Sequence, residues 1–223
     1  MPFEPDTVIS YFAMCQEEGG TSLQRGMNFR LRPTHSVILM SQQAGAPYTD
    51  KVEEEGTVIV YQGHNVPRPQ APVPDAADQE LRTPSGRLTQ NGLFFEAANS
   101  EPPEVVRVYE KLLKGLWVYN GAFDLTAAWA EVSDGRRVFK FRLKLVEGAS
   151  AGTPQLKEHS RVIPSAVKKA VWVRDGGKCV LCGASDVIHF DHDLPFSRGG
   201  SSTVDNVRVL CARHNLEKGA RIE

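Results

Sequence analysis

Apolar and polar side chains alternate along Val138–Leu145 (VFKFRLKL), a period typical of a half-buried β-strand. Short helices are predicted at Asp6–Gln16 and Leu88–Ala98, and the proline-rich run Pro67–Ala77 predicts a long loop. Other runs are rich in β-branched and aromatic residues and also predict strands: Ser36–Met40, Gly56–Tyr61, Val105–Tyr109 and Leu116–Tyr119. The first part of the chain is therefore predicted to be mostly β, as a barrel or strongly curved sheet with flanking helices.

The last third of the chain has a different pattern. Pro164–Arg174 starts with proline and ends before two glycines, which predicts a helix. Two short strands, Val187–Asp191 and Val207–Leu210, and a helix that begins around Cys211–Arg213 are predicted to follow. Small, polar residues at 147–152 separate this part from the first. We therefore predict an α+β protein with a first domain at 1–147, a linker at 148–162 and a second domain at 163–223.

Composition and charge place the chain among ordinary folded proteins. Of its 223 residues 41% are hydrophobic and 24% charged, which excludes a disordered chain or a coiled coil. No run approaches the roughly 20 apolar residues of a membrane-spanning helix and no secretory signal is visible, so we expect a bacterial cytoplasmic protein without a membrane partner. Residues 1–150 contain 15 basic and 19 acidic side chains, whereas residues 151–223 contain 11 and 8. The second domain is therefore the better candidate for contacting phosphates.

Four residues with metal-ligand chemistry stand in two pairs near the C-terminus. Two residues separate Cys179 from Cys182, and Cys211 and His214 repeat this spacing after 28 further residues. Each spacer lets a turn present both ligand atoms to one tetrahedral zinc ion. Because no position is left for substrate, we predict a structural zinc site that stabilises a small module. The alternative is that the cysteines are buried as small hydrophobic residues and His214 lies at the surface. The remaining cysteine, Cys15, is predicted to be buried in a helix.

Between and after these pairs lies a second pattern: Asp191-His192-Asp193-Leu194-Pro195, Ser197-Arg198-Gly199-Gly200, Asp205-Asn206, Asn215 and Lys218. Over about residues 163–220 this pattern resembles the HNH nucleases. The resemblance implies a zinc-stabilised ββα-metal fold and a metal-dependent endonuclease. The second ligand pair ends in His214, where these nucleases usually have cysteine. We assign His214 to zinc because of its spacing, and Asn215 to the catalytic metal.

The chemistry of phosphodiester hydrolysis accounts for these residue types. A neutral imidazole such as His192 can accept a proton from water at cellular pH. Asp191 and Asn215 offer hard oxygen ligands for one catalytic Mg²⁺ or Mn²⁺ ion. The resemblance places Asn206 where it would hold the loop that shapes the site. Candidate contacts to DNA phosphates, with solvated side chains or a helix-end cation as alternatives, are Arg198, Arg213 and Lys218.

Several strings follow one another along residues 20–146: Ser36–Leu39, Pro47–Asp50, Glu55–Gly63, Asp78–Gln79, Asn91–Leu93, Val106–Tyr109, Tyr119–Gly121 and Val138–Phe141. In this order they resemble the SRA (SET- and RING-associated) domain. That resemblance implies a curved β-barrel that reads a modified cytosine in duplex DNA by flipping the base out of the helix.

A flipped cytosine needs aromatic faces in place of its stacked neighbours and an acceptor for its amino group. On the resemblance, Tyr48 and Tyr61 would sandwich the base, Asp50 would accept from the N4 amino group and Gln62 would line the pocket. From the residues alone two alternatives stay open. In the first alternative, Tyr61 ends an apolar strand and is a core residue. In the second, residues 50–55 form a solvated acidic loop.

Together the two resemblances imply a modification-dependent, type IV-like restriction endonuclease that cuts duplex DNA containing 5-methylcytosine or 5-hydroxymethylcytosine. Two other functions stay open: an HNH endonuclease directed to unmodified sequence, and a reader of modified DNA that does not cut. One HNH site attacks one strand at a time, whereas a symmetric CpG site carries two modified cytosines. We therefore also expect a homodimer, at least on DNA.

Overall fold

The fold is dominated by β-strands. The computed structural model describes residues 3–20, 22–23, 25–42, 48, 50–146 and 162–219. Within these residues the strands are β1 (Thr7–Ser10), β2 (Met27–Arg32), β3 (His35–Met40), β4 (Lys51–Glu53), β5 (Val58–Gln62), β6 (Val105–Leu113), β7 (Leu116–Ser133), β8 (Arg136–Leu145), β9 (Ile188–His192) and β10 (Val207–Cys211). The α-helices are α1 (Tyr11–Glu17), α2 (Gln90–Ala97), α3 (Ser165–Arg174) and α4 (Ala212–Lys218). We refer to residues 3–146 as the N-terminal unit and to residues 162–219 as the C-terminal unit.

All of these strands belong to one hydrogen-bonded sheet with β7 at its centre. One edge of β7 pairs with β6. The opposite edge pairs with β1 over residues 116–119 and with β8 over residues 123–133. Beyond these neighbours, β3 and β2 follow β6, β5 and β4 follow β8, and β9 and β10 follow β1. The sheet therefore branches at β7, because this long strand has two partners on the same edge.

The predicted barrel is wrong in one respect, because the sheet is not closed. Among the described residues β2 pairs only with β3, and β4 pairs only with β5. A barrel closes only when its outermost strands pair with each other. Here the part of β7 that pairs with β1 leads on to β9 and β10, so the sheet continues into the C-terminal unit. The mixed α+β class and the flanking helices agree with the prediction.

The core of the N-terminal unit lies between the sheet and α2. Phe94 of α2 is fully buried, and its ring lies edge-on to Phe29 and Phe141 at centroid distances of 5.5 and 5.9 Å. Gly92 of α2 lies close to the loop that precedes this helix, where a Cβ atom would lie only 2.2 Å from the Leu81 carbonyl oxygen. Glycine at this position therefore lets the loop pack closely on α2.

The first predicted helix is wrong over its first residues. Thr7–Ser10 form β1, which pairs with β7 on one side and with β9 on the other. The β-branched residues of this segment adopt extended backbone because two neighbouring strands pair with it. Ser10 then caps α1 by accepting a hydrogen bond from the Ala13 amide at 3.1 Å. Cys15 is buried in α1, as predicted.

The C-terminal unit has the predicted order of helix, strand, strand and helix. Its core includes Val171 and Phe190, and Trp172 of α3 packs on Phe190 with ring centroids 6.2 Å apart. The pairing of β9 with β1 joins this unit to the sheet. The predicted linker 148–162 lies outside the described residues except for Val162, which packs into the core of the N-terminal unit. The division into domains at 1–147 and 163–223 therefore stays a prediction.

No α-helix in the described part of the chain is both long enough and apolar enough to cross a bilayer.

Candidate functional site

The four predicted zinc ligands converge in the C-terminal unit. The ligand atoms of Cys179, Cys182, Cys211 and His214 all lie within 4.8 Å of one another. The sulfurs of Cys182 and Cys211 are 3.8 Å apart, and Nδ1 of His214 lies 3.2 Å from the Cys179 sulfur. A tetrahedral site with Zn–S bonds of about 2.3 Å places its sulfurs about 3.8 Å apart. The Cys₃His cluster therefore fits a zinc ion.

A tight turn and a strand end position these ligands. The Cys179 amide donates to the Ala184 carbonyl, and the Gly183 amide donates to the Cys179 carbonyl, both at 2.8 Å. Cys211 ends β10, and His214 lies in the first turn of α4. Burial raises the pKa of the Cys179 thiol, but hydrogen bonds involving the Cys211 backbone and the His214 side chain lower it to about 6. A low pKa favours the thiolate, which is the form that binds metal.

The predicted catalytic residues lie on β9 and α4. Asp191 and His192 are the last two residues of β9, and Asn215 lies one turn before Lys218 on α4. Lys218 Nζ lies 2.7 Å from Asp191 Oδ2 and donates to the His192 carbonyl at 2.5 Å. Burial raises the pKa of the Asp191 carboxyl, and the Lys218 ammonium opposes this rise. The end of α4 is thus tied to the end of β9.

The loop between β9 and β10 contacts the imidazole of His192. Nε2 of His192 lies 2.8 Å from the Ser202 hydroxyl oxygen. Asn206 holds the same loop, since its Oδ1 accepts from the Leu194 amide at 2.8 Å. Its Nδ2 donates to the carbonyls of Leu194 at 3.1 Å and Ser201 at 2.8 Å. This arrangement suits the loop-holding role expected of Asn206, which stays a prediction. Ser202 was not predicted, because no local pattern relates it to His192.

The three predicted phosphate contacts have different surroundings. Arg198 is exposed at the end of a 3-10 turn. The side chain of Arg213 is 68% exposed, with its Nε 3.8 Å from a Glu217 carboxylate oxygen. Lys218 is buried and pairs with Asp191. Its burial favours a role inside the site over direct contact with DNA, and all three phosphate contacts stay predictions.

The predicted base pocket lies where the chain enters β4 and leaves β5. Asp50 precedes β4, and its Oδ1 accepts from the backbone amide of Gln62 at 3.0 Å. Burial raises the pKa of Asp50 to about 7, although this hydrogen bond and Lys140 lower it. Burial also raises the pKa of Tyr61, and the nearby Asp50 and Tyr48 add to that rise. The structure therefore brings the predicted pocket residues near one another.

The two pocket tyrosines are placed differently. Tyr61 is 1% exposed and belongs to the hydrophobic core, with its hydroxyl 3.5 Å from the Leu39 carbonyl oxygen. This position favours the interpretation of Tyr61 as a core residue. Tyr48 is half-buried, and its ring centroid lies 6.4 Å from that of His64 at an angle of 33°. The sandwich of a base between the two tyrosines stays a prediction.

Two further residues beside the pocket were not predicted. Nε2 of His64 accepts from the Met27 amide at 2.9 Å, and burial lowers the pKa of His64 to about 4. Its ring is therefore neutral near pH 7. Lys140 is 3% exposed, and its Nζ donates to Gln62 Oε1 at 2.9 Å. The alternation of apolar and polar residues in β8 predicts that Lys140 lies on the polar face of the strand. It does not predict that other residues bury this side chain.

Residues 179–221 match the family model described as HNH endonuclease. The matched segment contains both zinc-ligand pairs, Asp191, His192 and Asn215. This match confirms the HNH resemblance of the C-terminal unit. No curated protein matches the chain.

Among solved structures, the chain is similar to SRA domains and to a region of one larger protein. The SUVH5 SRA domain in complex with hemi-methylated CG DNA is 25% identical with a TM-score of 0.47, over 70% of this chain and 94% of that one. The SUVH5 SRA domain bound to fully hydroxymethylated CG DNA is 22% identical with a TM-score of 0.45, over 70% and 91%. Arabidopsis thaliana SUVH6 in complex with SAM is 21% identical with a TM-score of 0.44, over 69% and 27%.

Proposed function

We propose that this protein is a modification-dependent DNA endonuclease that cuts duplex DNA containing 5-methylcytosine or 5-hydroxymethylcytosine. The observation that carries the nuclease part is the placement of Asp191 and His192 at one strand end, inside the segment that matches the HNH family and contains the zinc cluster. The reader part rests on the ordered SRA-like strings of the sequence. It is supported by the proximity of Tyr48, Asp50 and Gln62.

Two metal sites are part of this proposal. The Cys₃His cluster would hold a structural zinc ion, because its four ligand atoms lie within 4.8 Å of one another and two of its sulfurs are 3.8 Å apart. Asp191 and Asn215 would hold a catalytic Mg²⁺ or Mn²⁺ ion, since carboxylate and amide oxygens suit these ions. Because Oδ2 of Asp191 is paired with Lys218, its other oxygen would be the ligand. The catalytic ion would supply positive charge to the scissile phosphate and the leaving oxygen.

In the proposed reaction His192 accepts a proton from the attacking water. When Nε2–H donates to Ser202, the lone pair of the imidazole is on Nδ1, and Nδ1 takes the proton. Lys218 holds the His192 backbone and the Asp191 carboxylate in fixed positions. Arg198 contacts the DNA phosphates from the surface. Cleavage would leave 5′-phosphate and 3′-hydroxyl ends.

In the proposed reader a modified cytosine leaves the duplex and stacks on the half-buried ring of Tyr48. The N4 amino group of the base donates to Asp50, whose carboxylate the Gln62 amide already orients. The ammonium of Lys140 holds the Gln62 side chain through a hydrogen bond to its Oε1 atom. A buried acceptor that faces an amino group discriminates strongly, because it is left unpaired by a base without that donor.

One cleavage experiment tests both parts. The purified chain is incubated with duplexes that differ only in carrying cytosine, 5-methylcytosine or 5-hydroxymethylcytosine at one site, with Mg²⁺, Mn²⁺ or EDTA. We expect cleavage of the modified duplexes with a divalent ion and none with EDTA. Equal cleavage of all three duplexes would show that the reader part is wrong. Selective binding of modified DNA without cleavage by any ion would show that the nuclease part is wrong.

A further inference from the structure

A buried polar network joins the two units. Lys168 of α3 is 1% exposed, and its Nζ donates to Glu110 Oε2 at 2.8 Å and to Asn120 Oδ1 at 2.6 Å. Glu110 lies on β6 and Asn120 on β7, so these bonds connect the C-terminal helix to the centre of the sheet. Burial raises the pKa of Glu110, but Lys168, Ser165 and Asn120 outweigh this effect and lower it. The carboxylate therefore stays charged and paired.

Gln42 connects this network to the predicted base pocket. Its Nε2 donates to the Asp50 carbonyl at 3.3 Å. At the other end of the same side chain, Oε1 lies 2.7 Å from the hydroxyl of Ser165, the first residue of α3. The Ser165 hydroxyl also contacts a carboxylate oxygen of Glu110. One glutamine side chain thus spans from a pocket residue to the N-terminus of a helix in the C-terminal unit.

The shared sheet provides a second connection. Thr7 of β1 pairs with Tyr119 of β7 on one side and with His189 of β9 on the other. The Thr7 hydroxyl oxygen lies 3.2 Å from Nδ1 of His189. Asp191 and His192 lie two and three residues beyond His189 on β9. Both α3 and β9 are therefore held to the N-terminal unit by buried hydrogen bonds, whereas domains joined only by a linker move relative to each other.

We propose that Gln42 and Ser165 are positioning residues that hold the nuclease site at one distance from the base pocket, so that each strand is cut at a single defined position. This inference rests on the proposed function of both units. A swivelling nuclease would reach several phosphodiester bonds around the modified base. A nuclease held by the Gln42–Ser165 contact and the Lys168–Glu110 pair reaches one.

The test maps cut positions at nucleotide resolution on a duplex with one modified CpG site. The variants are Ser165→Ala and Gln42→Leu in the full chain, with Ser133→Ala at the C-terminal end of β7 as the matched control. We expect one cut position per strand for the wild type and the control. Both variants should cut at several neighbouring positions, at rates roughly 10- to 100-fold lower under single-turnover conditions. The affinity of Ser165→Ala for the modified duplex should be unchanged, and zinc content verifies that each variant is folded.

Several results would overturn the inference. Wild-type cleavage at scattered positions would do so while leaving the proposed function intact. A lower rate in both variants at an unchanged cut position would also do so, because a merely destabilised unit behaves in that way. Wild-type protein that binds modified DNA and cuts nothing would overturn the proposed function and this inference together.

Discussion

Lys218 and Asp191 form an ion pair between a lysine side chain that is 1% exposed and a carboxylate that is 19% exposed, with Nζ 2.7 Å from Oδ2. The same ammonium donates to the backbone carbonyl of His192. One side chain at the end of α4 therefore fixes both proposed catalytic residues of β9. Loss of one partner from such a pair leaves the other charge partly buried without compensation, which costs more than loss of a surface pair.

Replacement of the buried lysine tests this relationship. Lys218→Met should lower the free energy of unfolding by up to about 3 kcal/mol, because Asp191 is left partly buried and unpaired. Urea unfolding measures the loss, and Lys114→Met at an exposed turn is the control. The double variant with Asp191→Asn should recover part of the stability but none of the cleavage. An unchanged unfolding midpoint in Lys218→Met would show that the pair contributes nothing to stability.

Removal of the proposed general base should separate cleavage from binding. His192→Ala is expected to lower the cleavage rate by about 100-fold or more. Zinc content and affinity for modified DNA should stay at wild-type levels, because this imidazole is not among the zinc ligands. His35→Gln removes an imidazole of β3, in the N-terminal unit, and serves as the control. Cleavage by His192→Ala within about tenfold of the wild type would remove His192 from the mechanism.

Loss of a zinc ligand should unfold the C-terminal unit, because the free energy of zinc binding is also folding free energy there. Cys179→Ser and His214→Ala should each abolish bound zinc, measured by atomic absorption, and should lower the melting temperature followed by tryptophan fluorescence. Cys15→Ala is the matched control, since this cysteine is buried in α1 away from the cluster. A wild-type melting curve without zinc would show that the four-ligand assignment is wrong.

The buried Asp50 carboxyl should make stability depend on pH. Its pKa is about 7 in the folded protein against 3.8 without burial, so between these values only the unfolded state has lost the proton. The stabilising contribution of the Asp50 carboxyl to the free energy of unfolding is therefore fully present below about pH 4 and is lost as the pH rises to about 7. Asp50→Asn keeps an acceptor for the Gln62 amide and removes this dependence. Its melting temperature relative to the wild type should rise by several degrees across that window and then level off.

Asp134→Asn, at an exposed turn, is the control for this series. A difference between Asp50→Asn and the wild type that is constant from pH 4 to 8 would contradict the prediction.

The expected homodimer concerns how both strands are cut. One HNH site attacks one phosphodiester at a time, and a twofold dimer matches the symmetry of a methylated CpG site. Sedimentation velocity with and without a methylated duplex should show two chains per duplex, and plasmid cleavage should give linear product. A complex with one chain that yields mainly nicked plasmid would rule the dimer out.

Local spacing determined most of the C-terminal unit. The two-residue spacers of the cysteine and histidine pairs placed four ligands around one point, because such a turn leaves few alternative geometries. Helix and strand order in this unit also followed from short patterns. The polar and apolar alternation of β8 was equally local, and its position agrees with the structure.

Only the tertiary structure decided the rest, because strand pairing and buried contacts join residues that are far apart along the chain. β1 was predicted as helix, and it became a strand because β7 and β9 pair with both of its edges. Because β1 pairs with β9, the sheet also continues into the C-terminal unit and does not close into the predicted barrel. The contact of Gln42 with Ser165 spans 123 residues, and the Lys218–Asp191 pair links α4 to β9. Patterns within a few residues do not encode such contacts. Their favourable free energy arises only when the folded sheet brings the two units together.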